Sequence, residues 1–264
     1  MHAVAVFGIT GRMGQTLLQA MHDAPTVRLS GAVASAQSVR LGQDAAAEGA
    51  RTGVSITADA GQGLQGASVA VDFSVSACVS AHAQACAAAG VPILIGVTGF
   101  DAASRGLLEQ AARHIPVLIA PNTSVGVGLL TQLVSLAASR LGASYDVEIF
   151  EAHHRMKRDA PSGTALALGR SVAQARGQEF DAVATLDRTR LLEARIPGSI
   201  GFSSLRAGDI IGEHTVTFAA AGERIEITHR ATDRFTFARG ALRAAEWLVG
   251  RPAGLYGMED VLGH

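Results

Sequence analysis

A chain of 264 residues that is 48% hydrophobic and only 17% charged can bury enough apolar surface to offset the entropy of ordering one or two domains, which excludes an intrinsically disordered protein. Its 22 Lys and Arg stand against 23 Asp and Glu, a formal charge of -1, so no global field draws it to nucleic acid or to an anionic membrane. Two cysteines, Cys78 and Cys86, are too few for a disulfide framework and lack metal-ligand spacing, which points to reduced thiols, a cytoplasmic location and no bound metal.

The first strand is expected at residues 4–7, without the basic start and long apolar run of an export signal. Short apolar, β-branched runs follow at 27–33, 69–73, 92–95 and 116–119, and helical patterns lie between them at 11–22, 76–89 and 101–113. That alternation predicts an α/β, Rossmann-like, doubly wound parallel sheet. Residues 73–100 and 114–139 carry no Asp, Glu, Lys or Arg. Pro92, Pro116 and Pro121 are expected to divide both stretches into pieces shorter than the roughly 20 residues that cross a bilayer.

After residue 122 the pattern changes. A helix over 125–141 leads to a strand at 146–152, and Ser162 then opens a helix running to about residue 176. Strands at 203–207, 213–219 and 224–230 follow, the last two joined by a turn at Gly222-Glu223. This part reads as α+β, and a closing helix over 235–249 fits either layer.

Gly8-Ile9-Thr10-Gly11-Arg12-Met13-Gly14 joins the first strand to the first helix. Glycines there permit a sharp turn and close approach to a pyrophosphate, and the helix start offers N–H donors and the positive dipole end. The same spacing also serves a tight turn that needs small residues only for packing. The second strand ends in Ala34, with no carboxylate for a ribose and no adjacent arginine for a 2′-phosphate, so NADH and NADPH both remain open. Gly96-Val97-Thr98 and Ala120-Pro121-Asn122-Thr123 follow later strands, where such a sheet presents its ligand; ordinary turns have the same composition.

Residues 151–164 concentrate chemistry: Glu151, His153, His154, Arg155, Lys157, Arg158 and the Ser162-Gly163-Thr164 helix start. Histidine and lysine supply protons and positive charge, and the helix start binds a carboxylate, so the segment suits a small substrate with several carboxylates. A solvated basic loop before a capped helix is the plainer alternative. Adjacent histidines point apart, which disfavours a metal, and no nucleophile elbow is present.

The segment Glu151-Ala152-His153-His154-Arg155-x-Lys157-x-Asp159-Ala160-Pro161-Ser162-Gly163-Thr164-Ala165 resembles the signature of the 4-hydroxy-tetrahydrodipicolinate (dihydrodipicolinate) reductase family. The likeness runs nearly end to end, through Gly8-x-x-Gly11-Arg12-Met13-Gly14, Val71-Asp72-Phe73-Ser74, Gly96-x-Thr98-Gly99-Phe100, Asn122-x-Ser124-Val125-Gly126, Arg206-Ala207-Gly208-Asp209-Ile210 and Gly212-Glu213-His214.

The resemblance implies a dinucleotide-binding domain of residues 1–124 plus about 234–264. It implies a substrate and tetramerisation domain of about 125–233, and a homotetramer without nucleic-acid or membrane partners. The implied reaction is reduction of a cyclic imine dicarboxylate by NADH or NADPH, with loss of water, in lysine biosynthesis by the diaminopimelate route. His153 matches the family's proton donor and Lys157 its second catalytic residue. His154, Ser162, Gly163 and Thr164 match substrate positions. Gly8, Ile9, Thr10, Gly11, Arg12, Met13, Gly96, Val97, Thr98, Ala120, Pro121, Asn122 and Thr123 match cofactor positions. Val97, Thr123 and Ala34 depart from the residues common in relatives, which bears on cofactor preference. Another two-domain nicotinamide dehydrogenase is the alternative enzyme, and a catalytically silent dinucleotide sensor the alternative of another class.

Overall fold

The computed structural model describes residues 1–46, 49, 51–189 and 192–263. In chain order the elements are β1 (His2–Phe7), α1 (Arg12–His22), β2 (Val27–Val33), β3 (Ile56–Thr57), α2 (Ala60–Gly63), β4 (Val69–Asp72), α3 (Val79–Ala89), β5 (Ile93–Ile95), α4 (Ala102–Ala111) and β6 (Pro116–Ile119). There follow α5 (Val125–Leu141), β7 (Asp146–His153), α6 (Gly163–Ala175), α7 (Phe180–Val183), β8 (Ala184–Thr185), β9 (Ile200–Arg206), β10 (Gly212–Ala220), β11 (Glu223–Ala231), α8 (Phe235–Leu248), β12 (Gly254–Tyr256) and α9 (Met258–Leu262). Contacts divide them into two units, Met1–Val125 with Phe235–His264, and Gly126–Arg234.

In the first unit, strand alternation explains the doubly wound build. Side chains two apart on β1 share a face. Val4 and Val6 join a core with Leu17 of α1 and Ala241 and Leu248 of α8, while Ala5 and Phe7 join a second core with Val79 and Ala83 of α3 and Leu108 of α4. A strand covered on both sides must be apolar where it is covered, and β1 is from Ala3 to Phe7. The sheet runs β12-β6-β5-β4-β1-β2-β3 with every pair parallel, so strand order reverses between β1 and β4, where such sheets bind ligands. The closing helix α8 belongs to this unit, where Gly240 lets it approach the Thr123 carbonyl: a Cβ there would stand 1.8 Å from that oxygen.

The second unit holds a mixed sheet, β11-β10-β7-β9-β8. β7 pairs antiparallel with β10 and parallel with β9. One face of β7 sends Val147 and Ile149 into a core shared with Leu130 and Val134 of α5 and Leu168 and Val172 of α6. The hairpin turn is Ala221-Gly222, one residue earlier than expected, because Gly222 takes the left-handed φ of +89° there.

Several short elements, β3, α2, α7, β8, β12 and α9, lie outside the sequence expectations; two to five residues give no readable period. The second charge-free stretch also differs. Pro116 and Pro121 precede α5 rather than interrupting it, and with a 3₁₀ turn the helix runs Val125–Ser144, 20 residues containing an 18-residue stretch of mean hydropathy 1.3, long and apolar enough to cross a bilayer by those criteria alone. Core helices of soluble domains meet the same criteria, and Val127, Leu130, Val134 and Ala138 are buried. Leu129, Leu133 and Leu136 form an exposed stripe on the same helix.

Candidate active site

The glycine-rich turn is built by contacts that forbid side chains. Gly8 has φ +78°, and a Cβ on it would lie 2.8 Å from the Phe73 and Ser74 backbone; one on Gly14 would lie 2.4 Å from the Gly8 carbonyl oxygen. Gly11 caps α1 without any side-chain hydrogen bond, so the first-turn N–H groups are not covered by a cap. A cavity of about 470 Å³ opens beside this turn, walled by Gly8, Thr10 and Gly11, by Val33, Ala34 and Ser35 at the end of β2, and by Phe73, Ser74 and His82.

The remaining expected cofactor residues divide by accessibility. Thr10 and Arg12 are exposed and Met13 half-buried, whereas the Ile9 side chain is in the core and only its backbone belongs to the turn. Gly96, Val97 and Thr98 follow β5, and Ala120, Pro121, Asn122 and Thr123 follow β6, along the same sheet edge but outside that cavity wall. Gly96 packs under Phe73, since a Cβ would stand 2.1 Å from its ring. Thr123 is buried, its hydroxyl donating to the Phe237 carbonyl at 2.7 Å, so this side chain ties the loop to α8.

Sequence reading passed over one pair in this unit. Asp72, fully buried at the end of β4, accepts the Ser74 N–H at 2.8 Å on Oδ1 and meets His82 Nδ1 at 2.7 Å with Oδ2. The His82 ring stacks on Phe7 at 4.1 Å and lines the cavity. A carboxylate ending an otherwise apolar strand was the available signal; its partner lies on α3, beyond any local pattern. Cys86 is buried with its thiol pushed up by burial and by Asp72, which leaves it unfit as a nucleophile.

In the second unit, the face of β7 that begins with Val147 and Ile149 ends with Glu151 and His153. Register sets Ser204 and Arg206 of β9 beside them, and His214 of β10 beside Glu151. Glu151 is buried, and Arg206 grips it with both terminal nitrogens, at 2.8 Å to Oε2 and 2.6 Å to Oε1. The Ser162 N–H reaches Oε1 at 3.2 Å, and His153 Nδ1 lies 2.5 Å from Oε2. Burial opposes ionisation of Glu151, yet hydrogen bonds from Arg206, Ser204 and His153 hold it at about 2. Breaking such a buried pair from one side typically costs about 3–5 kcal/mol.

His153 is pulled below the usual histidine range chiefly by burial, with Glu151 acting in the opposite direction. Lys157 pairs with the largely exposed Asp159 at 2.8 Å. His154 is half-buried and Gly163 exposed at the start of α6. Ser162 is buried, and its hydroxyl accepts the Ala165 N–H at 3.2 Å and meets His214 Nε2 at 3.0 Å; its side chain therefore builds the helix start that Gly163 and Thr164 present.

His214, edge-on to His153 at 5.2 Å, is held down to about 3 by burial first and by the charge of His153 second. It is neutral in the fold, whereas an unfolded histidine binds a proton below about 6.5. Its contribution to stability is thus complete above that pH and lost as pH falls toward 3, by about 1.4 kcal/mol per pH unit. Glu151 extends the loss between 4.5 and about 2. The melting temperature should fall from near pH 7 to near pH 4, and less steeply in His214→Gln; parallel curves would remove His214 as the cause.

Residues 2–123 match the family model described as "Dihydrodipicolinate reductase, N-terminus", and residues 126–262 the one described as "Dihydrodipicolinate reductase, C-terminus". The chain belongs to the dihydrodipicolinate reductase family. Relatives named "4-hydroxy-tetrahydrodipicolinate reductase" include that of Thiobacillus denitrificans, 51% identical over 261 residues covering 98% of each chain. Another, from Anaeromyxobacter dehalogenans, is 49% identical over 265 residues, 100% of this chain and 98% of that one. Among solved structures, a dipicolinate-bound dihydrodipicolinate reductase from Paenisporosarcina sp. TG-14 shares the fold, with a TM-score of 0.78 at 24% identity over 99% of this chain and 100% of that one. The family's two parts meet between residues 123 and 126, close to where the units divide at Val125.

Proposed function

We propose that this dihydrodipicolinate reductase family member reduces 4-hydroxy-tetrahydrodipicolinate to tetrahydrodipicolinate with NADH or NADPH, releasing water, on the diaminopimelate route to lysine. The carrying observation is His153, anchored through Nδ1 while nothing among the described residues hydrogen-bonds Nε2. One hydride and one proton enter the ring and one water leaves.

The residues of the glycine turn fit a dinucleotide. A side chain on Gly8 or Gly14 would collide with the backbone that shapes the turn, and the uncapped start of α1 offers N–H groups and the positive dipole end to a pyrophosphate, with Arg12 exposed beside them. When bound, the reduced nicotinamide supplies the hydride. Gly96 to Thr98 and Ala120 to Thr123 contribute backbone groups farther along the same sheet edge.

In the second unit, His153 delivers the proton from Nε2 to the nitrogen-conjugated system. Lys157, 22% exposed, takes a substrate carboxylate: its present partner Asp159 is 60% exposed and can give way to another carboxylate. His154 and the α6 start at Gly163 and Thr164 hold the diacid. The exposed stripe Leu129, Leu133 and Leu136 supports a homotetramer in which other copies cover it; light scattering that gives a monomer would refute this.

The purified protein, given the product of dihydrodipicolinate synthase made in situ, should oxidise NADH or NADPH, and only in its presence. Absence of turnover with both dinucleotides would overturn the proposal. Ala34 and Ser35 present no charge to the cavity, and Arg40 is occupied by the carbonyls of Asp44 and Ala46 at 2.9 Å each. Ala34→Asp should therefore lower kcat/KM for NADPH about 10- to 100-fold relative to NADH, a carboxylate accepting ribose hydroxyls and repelling a 2′-phosphate. Paired kinetics with an unchanged ratio would exclude Ala34 from the ribose end.

A further inference from the structure

We propose that Glu151 is a positioning residue for His153: clamped by Arg206, its carboxylate fixes the imidazole with hydrogen on Nδ1 and thereby makes Nε2 the atom that gives up the proton. The inference deepens the reductase reading and rests on His153 being its proton donor.

Four features carry it. Strand alternation puts Glu151 and His153 on one face of β7, and Oε2 takes Nδ1 at 2.5 Å, so the nearer ring nitrogen is committed to a carboxylate that only accepts. Arg206, the neighbour of His153 across β9, fixes the carboxylate in plane through two nitrogens, and the Ser162 N–H fixes it from the α6 start. Glu151 is thereby tied to the element bearing Gly163 and Thr164 as well as to the acid. Finally, Gly212 leaves room at the other nitrogen, where a Cβ would stand 3.1 Å from His153 Nε2.

A carboxylate serving only to neutralise Arg206 would need neither the Nδ1 contact nor the Ser162 contact. In the step itself the Nε2–H bond of the imidazolium breaks, its electron pair stays on nitrogen, and the proton goes to the substrate that has received hydride. The Nδ1 hydrogen stays where it is, still donated to Glu151, and solvent restores Nε2–H. The charged and titratable groups facing His153 are Glu151 on its own strand, Lys157 in the following loop, Arg206 on β9 and His214 on β10.

Glu151→Gln keeps an acceptor and removes the charge. It should lower kcat about 100-fold and leave KM for the diacid within about twofold, with the alkaline limb of the kcat profile moved to lower pH, since the imidazolium loses its counter-charge. The neutral double variant Glu151→Gln/Arg206→Gln carries the same test without an unpaired guanidinium. In the wild-type protein, ¹⁵N spectra of the histidine ring should show Nδ1 protonated on both sides of the titration and Nε2 titrating. A neutral form with hydrogen on Nε2, or a kcat profile unmoved in the variant, would overturn the clamp. His153→Asn separates the two claims: an active His153→Asn protein defeats the proton-donor reading, whereas inactive His153→Asn beside a wild-type-like Glu151→Gln defeats the clamp alone.

Discussion

His153→Ala should lower kcat by about 10²- to 10⁴-fold, equivalent to roughly 3–5 kcal/mol of barrier, while dinucleotide affinity stays near that of the parent. The size follows from what the side chain does: hydride addition leaves charge that a positioned acid must quench, and water replaces an oriented imidazole poorly. The split between kcat and binding follows from position, because His153 lies at the end of β7 in the second unit and the glycine turn lies in the first. The fold should survive, since the half-buried imidazole can be lost while Arg206 keeps Glu151 paired. Steady-state kinetics with calorimetry of NADH binding checks both halves, and near-normal turnover would remove His153 from the chemistry.

Gly14→Ala should abolish measurable dinucleotide binding, a loss of at least about 100-fold, and destabilise the first unit by about 1–3 kcal/mol as overpacking against backbone does. The added methyl would lie 2.4 Å from the Gly8 carbonyl oxygen and 2.7 Å from Ile9 Cα and its carbonyl oxygen. None of these atoms is the end of a flexible side chain, so α1 must retreat from the turn and carry its N–H groups away from a phosphate. Gly106→Ala is the control: on α4 a methyl there meets nothing within 4 Å among the described residues, and a helix interior gains about 1 kcal/mol from such a change. Retained dinucleotide affinity in Gly14→Ala would refute the phosphate-cradle reading of the turn.

The doubly wound sheet was legible because its signal is local. Runs at 27–33 and 116–119 coincide with β2 and β6, and 125–141 with α5, since burial on both faces or along one helical stripe writes itself into consecutive residues. The two- to five-residue elements were illegible for the converse reason. Pro116 and Pro121 do not shorten the second charge-free stretch because both lie before α5 begins, and a proline breaks a helix only where it sits.

The alternation of strands and helices, the glycine turn and the segment holding His153, Lys157 and the α6 start are written locally, since each is a contiguous run whose chemistry needs no partner to be recognised. The groups that control them are brought in by folding. Arg206 meets Glu151 from 55 residues away and Ser162 meets His214 from 52. His82 finds Asp72 from the neighbouring helix. Such pairs depend on strand register and helix packing, and register is set by how the whole apolar face of a sheet is buried, a property that no single segment carries.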